Sequence, residues 1–369
     1  MSGSGPVVFV EAQPFSWTWF AGIPRYTARL TIALARRVPI RFFAAGQEIF
    51  VPANLDWSQD QDLERWARRI WKGKRRPLDT PPAGSLGLYC GLRPEPRAFP
   101  FEASVLHDLC PLILPWTTPE EHRAHFERYF ARDLVQSDLV LAVSHSTRDD
   151  ALRLLPLEAA RIVVVPSGPS LCIDAHRHPR PVERSAQVGL VVSTIEPRKN
   201  AQFLVDWFHS SPVLPRDMEL WWVGKRGWLT SRNDLARMAR RPGGRRVRFL
   251  GQVSDARLCQ LYQRASWSIL PSLYEGFGFP VLDSLRHGTP VLTSLNSALR
   301  EFDHPGVTFF DPGDPATVDR AWRTMAATGL RVLDRAVLDR LYHWDRVAEA
   351  LLDAHSRAPA IPAASTHAA

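Results

Sequence analysis

The sequence predicts an α/β protein of two doubly wound domains, each built on a parallel β-sheet. The chain has 369 residues, 45% of them hydrophobic, which is long for a single core. Short apolar runs alternate with amphipathic helical runs twice along the chain. Between the two series, residues 166–184 are rich in Pro, Ser, His and Arg and show no periodicity, which is typical of an interdomain linker.

The first series begins with a strand at residues 7–10 and, after a long loop, an amphipathic helix at residues 24–37. Further strands are predicted at residues 40–44, 103–106, 139–143 and 162–165. Ser146 and Asp149 have the spacing of a capping box that would open a helix over residues 147–155. We therefore expect an N-terminal domain over residues 1–175.

The second series contains six apolar strands, predicted at residues 188–193, 220–223, 247–250, 267–270, 291–294 and 307–310. We expect a linker at 176–186, a C-terminal domain at 187–339 and a last helix at 340–356. Residues 357–369 are rich in Pro and Ala and are predicted to be a disordered tail.

Cellular location is suggested by what the sequence lacks. It has no run of about 18 apolar residues, and its first residues, M-S-G-S-G, do not form a secretory signal. The four cysteines, Cys90, Cys110, Cys172 and Cys259, are widely spaced, which disfavours a disulfide framework and a zinc site. We expect a cytoplasmic protein.

The net charge of +8 predicts anionic partners, although charge alone does not separate nucleic acid, membrane and phosphorylated substrates. The basic residues form no aromatic-interleaved platform or recognised module, so nucleic acid is not expected. Lys199 and Lys225 fall in loops after strands of the second series, where an ammonium group can meet a phosphate.

Residues 274–283, Y-E-G-F-G-F-P-V-L-D, place a carboxylate and two glycines at a predicted strand-to-helix turn. Pro280 marks the helix start, where its missing N–H costs nothing. The first helix amides favour an anionic or polyhydroxyl ligand, and Gly276 and Gly278 allow it to approach the backbone. The alternative is a tight turn in which Asp283 only complements the helix dipole.

Together with G-T-P-V-L-T-S at 288–294, this stretch resembles the donor-site signature of glycosyltransferase family 4. Those retaining enzymes have the GT-B fold, in which two Rossmann-like domains face each other across a cleft and the C-terminal helix crosses back to the first. The resemblance implies that Glu275 binds sugar hydroxyls and that Gly276, Phe277 and Gly278 line the donor site. Asp283 replaces the second Glu of the family's E-x7-E pattern and would bind the ribose.

Residues 193–200, S-T-I-E-P-R-K-N, follow the first strand of the second domain, at the end of the sheet where open α/β folds bind ligands. Arg198 and Lys199 are candidates to clamp a diphosphate, the alternative being ordinary surface cations at a helix start. The stretch resembles the family's G-T-I-E-P-R-K-N loop, with Ser193 in place of Gly. The resemblance gives Arg198 and Lys199 the phosphate role and places Thr194 in the donor site.

Three further stretches resemble the family. V-G-K-R-G-W at 223–228 matches a loop that lines the nucleotide pocket, which implicates Gly224 and Lys225. His107 lies in an H-D-L element whose histidine contacts the transferred sugar, the alternative being a structural loop histidine. A-G-I-P-R-Y at 21–26 matches G-G-I-G-R-Y with two glycines replaced, and leaves Gly22 and Arg25 as candidates for contact with donor phosphate or acceptor.

No metal or cofactor is expected. Asp60 and Asp62 have a D-x-D spacing, but no apolar strand precedes them and they head a basic helix. His122 and His125 lie among many charged residues and favour a solvated face over a zinc site. The G-x-G at 276–278 lacks the third glycine and acidic partner of a dinucleotide fingerprint, which disfavours NAD.

Residues 63–76 predict a basic amphipathic helix, whose apolar stripe is Leu63, Trp66, Ala67 and Ile70. One interpretation is a helix lying on an anionic bilayer; the other is a helix packed on the first domain with its arginines in solvent. The use of lipid-linked acceptors by relatives favours peripheral membrane contact.

The resemblance therefore implies a metal-independent, retaining hexosyltransferase that uses a nucleotide sugar and a saccharide or lipid-linked saccharide acceptor. The T-I-E-P-R-K-N loop resembles those of bacterial polysaccharide mannosyltransferases and suggests GDP-mannose as the donor. Alternatives are a UDP-sugar-dependent glucosyltransferase, a nucleotide-sugar epimerase of the same fold and a non-catalytic sugar-nucleotide-binding protein.

Overall fold

A computed structural model describes residues 6–58, 62–91, 93, 96–171, 185–239, 245–328 and 333–358. The chain divides into two compact units. The first consists of Met1–Asp108, Ala124–Ser170 and Tyr342–Ala369, and the second of Leu109–Arg123 and Leu171–Leu341. Of the predicted linker, residues 176–184 lie outside the described residues. Its last two residues, 185 and 186, belong to a strand that begins at Ser185. The predicted tail lies outside the described residues beyond Ala358.

The elements are numbered in chain order. The strands are β1 (Val8–Glu11), β2 (Ile40–Ala44), β3 (Gln47–Phe50), β4 (Lys74–Pro77), β5 (Leu86–Tyr89), β6 (Phe101–Leu106), β7 (Leu139–Ala142), β8 (Ile162–Val164), β9 (Ser185–Val192), β10 (Glu219–Val223), β11 (Arg246–Gly251), β12 (Ala265–Leu270), β13 (Val291–Ser294) and β14 (Val307–Phe310). The helices are α1 (Ile23–Ala35), α2 (Leu63–Trp71), α3 (Cys110–Ile113), α4 (Glu120–His125), α5 (Ala131–Gln136), α6 (His145–Leu154), α7 (Ala201–Ser210), α8 (Arg232–Ala239), α9 (Asp255–Arg264), α10 (Phe279–Arg286), α11 (Pro315–Thr328), α12 (Arg335–Leu341) and α13 (Trp344–Arg357).

The sheet of the first unit has the order β4-β3-β2-β1-β5-β6-β7-β8. Strands β2, β1 and β5 to β8 are parallel, while β3 and β4 extend one edge as antiparallel strands. Strands β1, β5, β6 and β7 are buried throughout, as the centre of a parallel sheet requires. The strand order reverses between β1 and β5, so loops that follow these strands lie at a ligand-binding position.

The sheet of the second unit is parallel in its described strands, in the order β11-β10-β9-β12-β13-β14. This order makes the unit a doubly wound domain, which is the class of domain that the six apolar runs predict. Bulky side chains, among them Trp207, Phe208, Trp222 and Trp267, fill the core. The order reverses between β9 and β12, so the loops after these two strands lie side by side at the carboxyl edge.

The last helix belongs to the first unit, as predicted. Arg37 on α1 bonds Asp345 at 2.6 Å and Glu349 at 2.7 Å on α13. The Trp344 indole donates to the Pro169 carbonyl at 2.8 Å, and its ring meets the Tyr26 ring edge-on, with 4.9 Å between centroids. Within the described ranges, no helix is both long and apolar enough to cross a membrane.

The predicted basic helix is corrected in two respects. It ends at Trp71, because residues 74–77 pair with β3 as the edge strand β4. Its apolar stripe is at most 2% exposed, and Trp66 packs edge-on against Phe15. The stripe is therefore covered by the first unit, as the second interpretation predicts, and is not available to a bilayer. Arg76 pairs with the buried Glu48 instead of facing solvent alone.

Two further predictions are corrected. Helix α6 begins at His145 and is capped by Ser144, whose hydroxyl accepts from the Thr147 amide at 3.0 Å, so Ser146 is not the cap. Residues 109–123, predicted within the first domain, group with the second unit. The Trp228 indole donates to the Thr117 carbonyl at 2.9 Å, and its ring lies 5.5 Å from the His122 ring. These two contacts of Trp228 fix the segment to the second unit.

Candidate functional site

The loop after β12 carries Glu275, which is 7% exposed. The Glu275 amide donates to the Ser297 hydroxyl at 2.8 Å, which fixes the backbone at the carboxylate. Helix α10 then begins at Phe279, one residue before the predicted start, with Pro280 in its first turn. Gly278 has φ +113°, and a Cβ there would lie 2.8 Å from the Leu299 side chain. Only glycine fits at this position.

The loop after β9 forms a short 3-10 helix, Pro197–Lys199, that carries both predicted cations. The Arg198 carbonyl accepts a hydrogen bond from the Leu273 amide at 2.9 Å. The loops after β9 and β12 are therefore tied together where the strand order reverses. This contact brings residues more than 70 positions apart in the chain into one site.

Glu275, Arg198 and Lys199 form one charged cluster. Lys199 Nζ lies 2.5 Å from Glu275 Oε1, and Arg198 Nη1 lies 3.3 Å from Glu275 Oε2. The other arm of Arg198 reaches Glu196 Oε1 at 3.1 Å, and the Ser272 hydroxyl donates to Glu275 Oε1 at 2.6 Å. Two cations thus face two carboxylates in a largely buried setting.

The cluster determines the charge of Glu275. Burial acts to raise the pKa of this carboxyl, but the charges of Lys199 and Arg198, with hydrogen bonds from Lys199 and Ser272, bring the pKa below its ordinary value. Glu275 is therefore ionised at neutral pH. An ionised carboxylate accepts hydrogen bonds, so the cluster suits a ligand with hydroxyls next to an anionic group.

The loop after β10 lies beside the cluster. The Ile195 amide donates to the Lys225 carbonyl, and the Gly227 amide to the Ile195 carbonyl, both at 2.9 Å. Gly224 has φ +141°, and a Cβ there would lie 1.9 Å from the Ser193 carbonyl oxygen, so this close approach of two loops requires glycine. Thr194 and Lys225 are both partly buried along this contact. Burial lowers the pKa of Lys225, and the negative charge of Glu196, which acts to raise this pKa, offsets only part of the effect.

Asp283 lies on α10 and is 3% exposed. Its Oδ1 accepts a long hydrogen bond of 3.4 Å from the Leu171 amide. Burial and the Asp283 charge both raise the pKa of Tyr262, so this phenol stays neutral. The carboxylate is thus in contact with the backbone at the start of the second unit's main segment.

In the first unit, His107 follows β6 and donates from Nε2 to the Cys90 carbonyl at 2.8 Å. Burial lowers the pKa of His107 to about 4. The imidazole is therefore neutral at pH 7 with its proton on Nε2, which leaves Nδ1 as an acceptor. Gly22 caps the start of α1, with Pro24 in the first turn, and the Arg25 guanidinium lies 5.8 Å from the Phe20 ring centroid.

The structure brings Glu275, Arg198 and Lys199 into one cluster, with the loop that carries Gly224 and Lys225 beside it. It places Asp283 apart from these contacts, against the Leu171 amide, and it places the other predicted residues His107, Gly22 and Arg25 in the first unit. Sequence reasoning gave no role to Glu196, Ser272 or Ser297. Glu196 lies inside a matched stretch and Ser272 just before one, but their contacts depend on the fold. Asp62 caps α2, while Asp60 lies outside the described residues. Among the described residues, no three His, Cys, Asp or Glu side chains are grouped to hold a metal ion.

Residues 186–327 match the family described as glycosyl transferases group 1. This stretch is a group 1 glycosyltransferase domain. The chain is 30% identical over 254 residues to the O-antigen chain mannosyltransferase B of Escherichia coli, a match that covers 62% of this chain and 64% of that protein. The chain therefore spans less than two thirds of that relative's length.

Comparison with solved structures extends to nearly the whole chain. Sucrose-phosphate synthase from Thermosynechococcus elongatus superposes with a TM-score of 0.65 at 17% identity, covering 96% of this chain and 98% of that one. Anabaena HepE, solved with UDP and glucose, superposes with a TM-score of 0.63 at 13% identity, covering 96% and 100%. Likeness at this identity shows fold alone, and it confirms the predicted GT-B fold.

Proposed function

We propose that the protein is a retaining glycosyltransferase of the family 4 type. It moves mannose from GDP-mannose to a hydroxyl of a saccharide or lipid-linked saccharide during polysaccharide or glycolipid assembly. The observation that carries this proposal is the cluster of Glu275, Lys199 and Arg198, held at the point of strand reversal in a group 1 glycosyltransferase domain.

Each group has a distinct role in this reaction. Arg198 and Lys199 bind the diphosphate and stabilise the charge that develops as it leaves, so no metal is needed. Glu275, ionised by its cationic neighbours, accepts hydrogen bonds from sugar hydroxyls. His107 accepts a hydrogen bond from a sugar hydroxyl through Nδ1, since its Nε2 already donates to the Cys90 carbonyl. The departing phosphate takes the proton of the acceptor hydroxyl.

Similarity to a mannosyltransferase favours mannose as the transferred sugar. The HepE structure was solved with UDP and glucose, so a UDP-sugar is the competing donor. A thermal-shift screen with GDP-mannose, UDP-glucose and ADP-glucose separates them, because a ligand at 100 times its Kd stabilises a protein by about 2.7 kcal/mol. We expect the largest shift with GDP-mannose.

Product analysis completes this test. Incubation with GDP-mannose and a panel of α-linked mannobioses is expected to give a trisaccharide whose new linkage keeps the donor's anomeric configuration. Donor converted to another nucleotide sugar without acceptor would indicate the epimerase alternative. Binding without turnover of any donor would indicate the non-catalytic alternative, and either result would refute the proposal.

The role of Asp283 is tested through donor affinity. Replacing Asp283 with alanine is expected to raise the donor KM by the equivalent of about 1.5 to 3 kcal/mol, the value of a hydrogen bond to a charged group. Aspartate is one methylene shorter than glutamate, so it reaches a ribose hydroxyl directly only if α10 lies closer, or through a water. Steady-state kinetics and donor titration measure the effect. Unaltered donor affinity would show that Asp283 has a structural role only.

Contact with the cytoplasmic face of a membrane is proposed through charge alone, because the apolar stripe of α2 is buried. Exposed basic side chains on α2 and just after it are expected to add about 1 kcal/mol each to binding of anionic lipid. Changing them to glutamine should abolish sedimentation with phosphatidylglycerol vesicles at low salt. The changed residues are Arg65, Arg69, Lys72 and Lys74.

The matched control replaces four exposed arginines of the second unit: Arg237, Arg257, Arg320 and Arg323. It lowers the net charge by the same amount and is expected to leave sedimentation unchanged. Equal loss in both variants would show attraction by net charge only, without a specific basic surface.

A further inference from the structure

The connection from β1 to α1 contains a run of aromatic residues that have no role in the proposed reaction. Its last part, W-T-W-F-A-G at residues 17–22, is called here the tryptophan loop. Trp19 is 49% exposed, whereas Phe20, next to it, is 2% exposed. An exposed indole presents a flat apolar face with a polar N–H at its edge, which a partly polar ligand can cover, and the position of this loop in the sheet decides whether such a ligand is expected.

The tryptophan loop lies at a ligand-binding position of the first sheet. It follows β1, at the reversal of strand order between β1 and β5. Strands β1, β5 and β6 are parallel, so the loop emerges at the same edge as His107, which follows β6. It ends at Gly22, directly before the turn of α1 that carries Arg25.

Arg68 on α2 fixes the backbone of this region. Its guanidinium donates to the Phe15 carbonyl at 2.9 Å, the Trp17 carbonyl at 2.7 Å and the Thr18 carbonyl at 3.4 Å. The Glu64 carboxylate holds the same guanidinium at 3.3 Å. One planar, always-charged side chain thus binds three carbonyls between residues 15 and 18, and the first part of the loop is held in place before any ligand arrives.

The chemistry of the surface indicates the class of ligand. A hexose presents a face of C–H groups with hydroxyls at its rim, which matches one aromatic ring flanked by polar groups. Trp19 has the exposed Thr18 beside it and Arg25 on the following helix. A lipid or protein surface would require a larger contiguous apolar patch, whereas Phe20 is buried.

On the basis of the proposed function, we propose that Trp19 stacks against a sugar ring of the acceptor and that Arg68 is a positioning residue for the tryptophan loop. The basic residues of α2 therefore differ in their roles. Arg68 organises the acceptor-binding loop, while Arg65, 82% exposed at its side chain, faces solvent.

The test measures acceptor and donor separately. Replacing Trp19 with alanine is expected to raise the KM for a mannobiose acceptor roughly tenfold, because the contact area of one side chain is lost. The donor KM, and kcat at saturating acceptor, should stay unchanged. Trp19→Tyr keeps an aromatic ring and should recover most of the affinity. Phe50→Ala, which removes a 41% exposed aromatic residue of β3 in the same unit, is the matched control.

Arg68 has a matched control in the same unit, the exposed Arg153 in the last turn of α6. Arg68→Gln should raise the acceptor KM and speed amide hydrogen exchange in residues 17–21, whereas Arg153→Gln should change neither. Faster exchange without a change in acceptor KM would reduce Arg68 to a structural role and refute its positioning role.

Saturation-transfer NMR with mannobiose and no donor keeps this test independent of the proposed function. Wild-type protein should show transfer to the sugar, and Trp19→Ala should show little. If no donor is turned over but this difference holds, the proposed reaction fails and the sugar site stands. Equal transfer in the two proteins, or no transfer in the wild type, would overturn the site.

Discussion

Replacing Lys199 with alanine is expected to lower kcat/KM for the nucleotide sugar roughly 100-fold or more, because a fixed cation facing a leaving diphosphate acts mainly in the transition state. The Lys199 ammonium lies in the charged cluster, 2.5 Å from Glu275. Arg198 and Ser272 still contact Glu275 in this variant, so the fold should persist. Initial-rate kinetics together with thermal unfolding separate the two effects.

Arg237→Gln is the matched control for the loss of a cation. Arg237 lies on α8 in the same unit, is 71% exposed at its side chain and pairs only with Asp234 in the described contacts. Its replacement should leave kcat/KM within about twofold, since exposed ion pairs contribute little. A Lys199→Ala protein that is folded and turns over within threefold of the wild type would show that the lysine does not bind the diphosphate.

Glu275→Gln is expected to separate catalysis from nucleotide binding. The variant loses an ionised acceptor for sugar hydroxyls, and kcat should fall roughly 100-fold to 1,000-fold. Lys199 and Arg198, both held by Glu275 in the structure, are then freed from this carboxylate. Free GDP, which carries the diphosphate but no sugar, should therefore bind as tightly as before or more tightly. Calorimetry with GDP beside steady-state kinetics measures both changes.

Glu219→Gln provides the matched change at another carboxylate. Glu219 pairs with Arg248 at 2.7 Å but begins β10, at the end of the strand away from the ligand-binding loops. Its replacement should leave kcat unchanged. Weaker GDP binding in Glu275→Gln would contradict the arrangement in which this carboxylate competes with phosphate for the two cations.

The sequence predicts the second unit more accurately than the first, and strand burial explains the difference. Strand β12, A-S-W-S-I-L, is nearly all buried and reads as an apolar run. Strand β4, K-R-R-P, lies at a sheet edge with every residue exposed, so it continues the pattern of the basic helix before it. Strand β5, L-G-L-Y, has only four residues and an internal glycine, and it gives no distinct signal.

In the candidate site, the loops were predicted from the sequence but the contacts between them were not. Each loop was predicted because its glycines, prolines and charges are local features of the sequence. The pairing of Lys199 with Glu275 was not, because it joins positions 76 residues apart and depends on how β9 and β12 are ordered in the sheet. The choice of Ser144 over Ser146 as a helix cap likewise depends on backbone geometry that two nearby serines do not distinguish.

The assignment of residues 109–123 to the second unit has a practical consequence for work on isolated domains. The polypeptide passes from one unit to the other after positions 108, 123, 170 and 341. A recombinant fragment that starts at the apparent boundary near residue 171 would lack the segment held by Trp228 and leave that indole without the Thr117 carbonyl. A fragment that ends there would lack α13, which supplies the partners of Arg37. Each unit is made of more than one segment of the chain, so cutting the chain at a single position cannot yield either unit complete. Expression of one unit by itself therefore requires circular permutation or co-expression of its separate segments.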